Sequence, residues 1–303
     1  ANTAVNALFS ADADYVVKGT FGTYTAMVDA GADARDVAAS FNLLSGNTGV
    51  SATSLTKANL SVSAAGTFSF TLQGKSTTTS QITATVTSTT DLTAIKDAIN
   101  AVSGSTGITA ALSSDKAGIN ITQSEGYDIL IGDVSTGSTN ADLVVAAMDM
   151  DNVKDITDVT VDTTATITTG AAATIAATGH GFSVGDVVTY TAAGTALAGL
   201  ASGTSYIVGT VANANSFTLL TTTSGAVTYG NSGSANGVTG AGGNASDKFT
   251  RVGRSLDGDS TSGDSTAVVG VVRLSSQNAY TVSPGNADNI FSTGTTEITA
   301  SHN

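Results

Sequence analysis

Apolar residues alternate with threonine and serine along several short stretches of this chain, which is the pattern of half-buried β-strands. In residues 67–74 (TFSFTLQG) and 81–88 (QITATVTS), apolar residues occupy every second position for most of the stretch. The same alternation predicts further strands over residues 14–21, 23–29, 50–55, 57–64, 108–114 and 119–123. We therefore expect antiparallel sheets with one apolar face and one hydrated, threonine-rich face.

Apolar residues recur with the period of a helix in two segments, and these segments align with each other without a gap. Residues 33–52 end in SGNTGVSA, and residues 91–110 end in SGSTGITA, 58 residues later. Three apolar pairs match, namely Val37 with Ile95, Phe41 with Ile99, and Leu44 with Val102. Spacings of three and four place each set on one face of a helix of about three turns. The chain therefore contains the same one-sided helix twice.

The ends of both helices carry recognisable signals. Asp33 and Asp91 are placed to accept hydrogen bonds from free N–H groups of the first turn and to complement its positive dipole end. Gly46 and Gly104 are placed to adopt the left-handed conformation that ends a helix. We expect each helix to begin and end at these residues.

Each helix is preceded by two predicted strands and followed by a glycine turn and a further strand or hairpin. A one-sided helix buries its apolar stripe when it lies on an antiparallel sheet. We therefore predict an α+β fold that is mostly β, with two repeated units of threonine-rich antiparallel strands and short one-sided helices. These units would form one elongated domain over residues 1–158, completed by residues 247–303.

The residues from 159 to 246 have a different character. Asp186 is the one acidic residue between Thr163 and Asn244, and short apolar runs follow one another between Gly-Asp, Ser-Gly and Asn-Ala-Asn turns. This spacing predicts a small all-β barrel or sandwich. The stretch resembles small β-barrel modules of phage and bacterial surface proteins, in which an HGF..GD hairpin precedes a GT.Y.V strand. We interpret residues 159–246 as a domain inserted at an exposed loop tip of the first.

Composition limits the classes of function. The 303 residues include 24 carboxylates and 11 lysines and arginines, so neither a nucleic-acid surface nor binding to anionic membranes is expected. Apolar residues make up 41% of the chain, enough for packed cores. Cysteine is absent, as is any run of 18 apolar residues. Residues 1–10 contain no visible signal peptide, so we expect that one was removed or that any export follows another route.

Few residues could carry chemistry. Of the two histidines, His180 lies in a predicted hairpin turn and His302 is one residue from the end. Acidic stretches at residues 149–158 and 257–264 offer oxygen atoms to a calcium ion, but we interpret them as a solvated face and a turn. We therefore predict no catalytic, metal or cofactor-binding residues, and a chain that is not an enzyme.

Residues 91–131 resemble a known family. An Asp-initiated helix ending in INAV, then SGSTGITA, a hairpin and INITQSEGYDILI are similar to the repeated "IN" unit in the surface-exposed central region of bacterial flagellins. Asn42 and Asn100 stand at the asparagine of that unit, and Phe41 replaces its usual isoleucine in the first copy. The segment AVVGVVRLSSQNAYTVSPGNADNIF, residues 267–291, resembles returning strands of the same region. The resemblance covers roughly residues 13–134 and 264–292.

This resemblance implies the outer domains of an extracellular flagellar filament, assembled from copies of the same subunit, with Ser and Thr hydroxyls as possible O-glycan acceptors. Flagellins polymerise through long terminal helices, and neither end of this sequence has their heptad pattern. We therefore expect the outer part of a longer subunit, or a module of another fibre. The alternative function is a phage tail-fibre, hook-associated or adhesin-type binding module, and an enzyme ranks third.

Overall fold

A computed structural model describes most of the chain. The described residues are 12–137, 141–152, 157–160, 174–194, 196, 200–221, 247–256, 265–285 and 298–300. No helix among them is long and apolar enough to cross a membrane.

The first half of the chain contains all of the described helices. Its elements are β1 (Ala13–Lys18), β2 (Thr23–Val28), α1 (Ala34–Leu43), α2 (Ser45–Thr48), β3 (Val50–Val62), β4 (Gly66–Gln73), β5 (Ser80–Val86), α3 (Thr93–Ala101), α4 (Ser103–Thr106), β6 (Ile108–Leu112), β7 (Ile119–Gln123), β8 (Ile129–Ser135) and β9 (Leu143–Met148). Those of the second half are β10 (Thr157–Thr160), β11 (Thr174–Ala176), β12 (Asp186–Thr191), β13 (Ser205–Asn213), β14 (Ser216–Thr221), β15 (Lys248–Leu256), β16 (Thr266–Val268), β17 (Val271–Ser276), β18 (Tyr280–Pro284) and β19 (Ile298–Ala300).

The strands form three sheets. One has the order β19-β18-β1-β2, and another the order β16-β8-β4-β5. The largest runs β11-β14-β13-β12-β15-β9-β3-β7-β6, with β10 also paired to β15 and β17 to β3. The strand pairs within the described residues are antiparallel, so the predicted α+β, mostly β fold class is confirmed. Strands β11 to β14 belong to the largest sheet, and the closed barrel expected for residues 159–246 stays a prediction.

Buried side chains gather into three cores. The first core surrounds α1 and consists of Ala13, Tyr15, Val17, Ala26, Val28, Ala32, Val37, Ala38, Phe41, Val50, Ala52, Tyr280 and Val282. The second core surrounds α3 and includes Leu60, Phe68, Phe70, Leu72, Ile82, Leu92, Ile95, Ile99, Ile121 and Ile131. The third core includes Ile175, Phe182, Val188, Tyr190, Tyr206, Val208, Phe217, Leu219 and Phe249. The largest buried side chains are thus divided among separate packing centres along the chain.

Strand β3 is continuous where two strands were predicted. Residues 50–55 and 57–64 were expected to form separate strands, but β3 extends from Val50 to Val62 without interruption. No glycine or proline lies between the two stretches. The same alternation of buried residues continues from one stretch into the other, so nothing interrupts the strand. Its first half pairs with β17 and its second half with β7 and β9. One strand therefore contributes to both the first and the second core.

Candidate functional site

Both repeated helices begin beside an aspartate, as predicted. Oδ1 of Asp33 accepts a hydrogen bond from the N–H of Asp36 at 3.0 Å, so Asp33 is the N-cap of α1. Asp91 lies two residues before Thr93, the first residue of α3, and accepts from the N–H of Thr93 at 3.1 Å and from its hydroxyl at 2.6 Å. The predicted apolar faces are buried at Val37, Phe41, Ile95 and Ile99. The two helices therefore lie on their sheets in the same way.

One asparagine ties each helix to the strand that follows it. Nδ2 of Asn42 donates to the carbonyl oxygen of Ala52 at 2.9 Å, and its Oδ1 accepts from the N–H of Ala52 at 2.8 Å. Asn100 makes the same two bonds with Ala110, both at 2.9 Å. A primary amide carries a donor and an acceptor, so it pairs with a strand as a neighbouring residue in a sheet would. We call residues 42–52 and 100–110 the first and second helix–strand corners.

Hydroxyl groups stabilise the turn inside each corner. Oγ of Ser103 donates to the carbonyl oxygen of Asn100 at 2.8 Å. Oγ1 of Thr106 donates to Val102 O at 3.0 Å and accepts from Ile108 N–H at 3.2 Å. The residues 58 positions earlier make the same three bonds. The SGxTG sequence is therefore a hydrogen-bonded turn that is repeated in detail.

The left-handed residue of each corner is the second glycine of SGxTG. Gly49 has φ +77° and Gly107 has φ +71°, whereas Gly46 and Gly104 lie inside the short helices α2 and α4. The prediction for Gly46 and Gly104 was therefore wrong. The serine and threonine hydroxyls support one more helical turn, so the chain reverses three residues later than expected.

Equivalent exposed positions of the two repeats differ in polarity. Met27 on β2 is 70% exposed, and the residue 58 positions later is Thr85 on β5. Leu43 at the end of α1 is 83% exposed, and its counterpart is Ala101. The buried residues Val37 and Phe41 between them correspond to the apolar residues Ile95 and Ile99. The first repeat therefore presents apolar side chains where the second presents small or polar ones.

Two aromatic residues at or near β2 are also exposed, and Tyr24 lies on the opposite face of the strand from Met27. Phe21, in the loop before β2, is 70% exposed, and Tyr24 on β2 is 42% exposed. Strand β2 is the end strand of its sheet, so it also presents backbone groups at a sheet edge. We call Phe21, Tyr24, Met27 and Leu43 the apolar edge. No surface was predicted here, although Met27 and Leu43 stand where the second repeat has Thr85 and Ala101, a difference that is visible in the sequence.

Charged residues meet where α1 contacts the turn between β7 and β8. Burial and the nearby Asp33 carboxylate raise the pKa of Asp128 from 3.8 to about 6, although it accepts a hydrogen bond from the N–H of Gly270, which acts in the opposite direction. Burial also raises the pKa of Asp33. The guanidinium carbon of Arg35 lies 4.6 Å from the ring centroid of Tyr127, a cation–π contact. This contact between the two repeats therefore contains a carboxylate that is costly to ionise.

An apolar cavity of about 380 Å³ lies beside the first core. Its lining includes Tyr15, Phe41 and Leu274, together with Asp151 and Arg273. The last two form an ion pair with N and O atoms 2.8 Å apart. Because the lining is mostly hydrocarbon and the two charged side chains are paired with each other, this cavity is suited to packing and not to acid–base catalysis.

His180 has a structural environment. Its Nδ1 accepts from the N–H of Phe182 at 2.9 Å, and its Nε2 lies 3.1 Å from the carbonyl oxygen of Asn213. The ring contacts the rings of Phe182 and Phe217, with centroids 5.4 and 5.1 Å away. These contacts place the imidazole in the turn at the margin of the third core. His302 lies outside the described residues.

The two acidic stretches, residues 149–158 and 257–264, offer oxygen atoms that could bind calcium. In residues 149–158, Oδ1 of Asp149 accepts from the N–H of Asp151, and the Asp151 carboxylate pairs with Arg273. Residues 153–156 and 257–264 lie outside the described residues. Within the described parts of the chain, no group of three or more His, Cys, Asp or Glu residues is placed to hold a metal ion.

Comparison with known proteins identifies one segment. Residues 67–125 match the family model of the flagellin hook IN motif, and this range contains β5, α3, α4, β6, β7 and all but the first residue of β4. A flagellin-type unit is thereby confirmed for this part of the chain. No curated protein matches the sequence. Among solved structures, the Phage phi92 endosialidase is similar at 18% identity and a TM-score of 0.22, over 54% of this chain and 24% of that one. The chain thus spans about a quarter of that structure, and so low a TM-score carries no argument.

Proposed function

We propose that this chain is a structural protein that forms the outer, solvent-exposed part of a flagellin-type filament subunit. The observation that carries the proposal is the helix–strand corner. The second corner, residues 100–110, lies within the segment that matches the flagellin hook IN motif. The first corner, residues 42–52, repeats its asparagine, serine and threonine hydrogen bonds. We infer that residues 33–52 belong to a second unit of the same type.

In this proposal the first unit is divided along the chain. Strand β17 pairs with the first half of β3, and β18 pairs with β1, so residues 271–284 complete the first core. The third core is formed mainly by residues between 175 and 219. We propose that residues 1–158 and 247–303 form the flagellin-like domain, and that residues 159–246 are an inserted small β-barrel domain.

The hydrated faces of the sheets suit a surface role. Thr67 and Thr85 form a cross-strand hydroxyl pair 3.1 Å apart, and Ser69 and Thr83 form another at 3.3 Å, all on the exposed face of β4 and β5. Such faces remain soluble at the high local protein concentration of a polymer. Their hydroxyl groups are also chemically suited to accept O-linked glycans, and the proposed location is the bacterial cell surface, in a filament used for motility.

Self-contact is the proposed role of the apolar edge. It belongs to the first repeat, whose sheet includes the first and the last described strands, β1 and β19. A partner that is another copy of the chain would bury the exposed side chains of Met27 and Leu43, which are costly to leave in water.

The function is tested by electron microscopy of the native particle together with the intact mass of its subunit. We expect helical filaments built from a subunit that contains this 29.7 kDa chain and additional helical segments. A trimeric spike or a discrete fibre would favour the phage tail-fibre or adhesin alternative instead. A soluble monomer of 29.7 kDa as the native form would contradict both assemblies.

The apolar edge is tested by sedimentation of the purified chain over a range of concentrations. The double variant Met27→Thr/Leu43→Ala installs the residue type of the second repeat at each position, so its fold should be retained. We expect the wild type to associate and this variant to associate less. Val184→Thr is the matched control, because Val184 is 49% exposed and lies outside the edge. Equal association of both variants and the wild type would remove the apolar edge from the proposal.

A further inference from the structure

A polar cavity of about 250 Å³ lies where strands β9, β12 and β15 of the largest sheet meet β16 of another. Its lining includes Val145, Ser183, Asp186, Arg251, Arg254 and Thr266. The polar composition of this lining contrasts with the apolar cavity beside the first core. It also brings together two arginines in a chain that has only 11 basic residues.

A β-bulge places both guanidinium groups in the same cavity. Residues three apart on a regular strand point to opposite faces, so Arg251 and Arg254 would normally be separated by the sheet. In the pairing of β12 with β15, Val187 lies opposite Gly253 and Val188 opposite Arg251, which leaves Val252 as the extra residue. Because of this extra residue, the two arginine side chains lie on the same face of the sheet. Both of them line the cavity.

The charges in the cavity do not balance. Asp186 is 5% exposed, and its Oδ2 accepts from the N–H of Ser183 at 2.8 Å and lies 3.6 Å from Nη1 of Arg251. The positive charge of Arg254 interacts with the same Asp186 carboxylate, and its Nε is buried without a hydrogen-bond partner. A buried guanidinium nitrogen without a hydrogen-bond partner is unfavourable. Among the described residues that line the cavity, two arginines and one carboxylate leave one positive charge.

We propose that this cavity binds a small organic monoanion by its carboxylate group, held by Arg251 and Arg254. The planar guanidinium matches a carboxylate with two parallel hydrogen bonds, and both arginines line the cavity. A monoanion neutralises the single excess charge, whereas a dianion such as phosphate would meet the Asp186 carboxylate with a charge left over. Asp186, Ser183 and Thr266 provide polar atoms for hydroxyl groups of the same molecule, so hydroxylated acids such as uronic acids are the class that the cavity fits. The site does not depend on the filament role.

The test is an NMR titration of the full chain with D-glucuronate. We expect saturable shifts of the backbone amide signals of Ala147, Gly253 and Thr266, which line the cavity. D-glucose, which lacks the carboxylate, should cause none of them. Arg254→Gln should weaken the binding of glucuronate about 10- to 100-fold, the loss expected for one charge-assisted hydrogen bond. Arg273→Gln is the matched control, because Arg273 is an exposed arginine paired with Asp151 elsewhere, and it should bind as the wild type does.

Several outcomes would overturn the assignment. An absence of saturable shifts with wild-type protein contradicts it directly, whatever the variants do. Equal binding of glucose would remove the role of the carboxylate, and tighter binding of inorganic phosphate would show that the cavity prefers dianions. If Arg254→Gln fails to fold, Arg254→Lys keeps the charge but removes the planar pair of donors, and unchanged affinity in that variant also refutes the bidentate contact.

Discussion

Replacing Asn100 with alanine should release strand β6 from helix α3 and destabilise the second core. The side chain makes two hydrogen bonds, both at 2.9 Å, to the N–H and the carbonyl oxygen of Ala110. Strand β6 is the end strand of the largest sheet, so Asn100 supplies the partner that a further strand would supply. No other natural side chain of this length offers a donor and an acceptor on one planar group.

The magnitude follows from these two bonds. Each contributes about 0.5–1.5 kcal/mol to stability, and Asn100 and Ala110 are half-buried, so water can replace part of the loss. We therefore expect Asn100→Ala to lower the free energy of unfolding by about 2 kcal/mol. Asn42→Ala should have a similar effect, because Asn42 makes the same bonds with Ala52 in the first corner.

Amide hydrogen exchange measures the effect locally, which is preferable in a chain with three cores that need not unfold together. The N–H of Ala110 should exchange much faster in Asn100→Ala, and that of Ala52 should not change. Asn47→Ala is the matched control, since Asn47 is exposed in the turn of the first corner and its side chain makes no hydrogen bond to the residues that the structure describes. If Ala110 stays protected in Asn100→Ala, or if Asn47→Ala costs as much, the role assigned to the asparagine is wrong.

Four further substitutions test other parts of the structure by urea denaturation. Gly107→Ala should cost about 1–2 kcal/mol because φ is +71°, while Gly104→Ala, in a helical turn with open space around it, should be neutral or stabilising by up to about 1 kcal/mol. Equal effects of the two would contradict the assignment of the left-handed residue. The pKa of Asp128 is about 6 when folded and 3.8 unperturbed, so the folded state binds the proton more tightly and wild-type stability should fall as the pH rises between those values. Above pH 6, Asp128→Asn should therefore be more stable than the wild type by about 1 kcal/mol, after allowance for solvent screening. This gain should vanish below about pH 4, where Asp128 is protonated. A gain that persists at low pH would show that ionisation of Asp128 is not its cause. Tyr190→Phe should cost about 1.5–3 kcal/mol, because the Tyr190 hydroxyl donates to the buried Asp247 carboxylate at 2.8 Å, and a loss under about 0.5 kcal/mol would show that this bond is dispensable.

Local structure was predictable from the sequence where it depends on neighbouring residues. The helix period, the cap at Asp33, the hydrogen bond from the first turn of α3 to Asp91, and the alternation of β4 and β5 follow from side chains within a few positions of each other. The error at Gly46 and Gly104 has the same origin. The hydroxyl bonds that extend the helix into α2 and α4 are also local, but they compete with the glycine signal, and the sequence alone does not show which one dominates.

Long-range pairings could not be predicted in the same way. Strand β17 lies about 220 positions after its partner β3, as in the pairing of Val272 with Ser54, and its own sequence fits many sheets equally well. The arginine cavity depends on the bulge at Val252, which exists only through the pairing of β12 with β15. Repetition helped because the second copy specifies what the first copy should contain. It gave no information on residues outside the repeat.

The shared strand β3 explains how two small cores can behave as one extended body. Val50 and Ala52 pack in the first core, and Ala58, Leu60 and Val62 in the second, so no flexible linker separates the two. A strand rises about 3.3 Å per residue, so this element of 13 residues spans about 40 Å. Bending between the cores would break the ladder where β3 changes partner from β17 to β7, between Leu55 and Thr56. Duplication of the unit therefore lengthens the molecule without adding a hinge, which suits the filament role proposed for this chain.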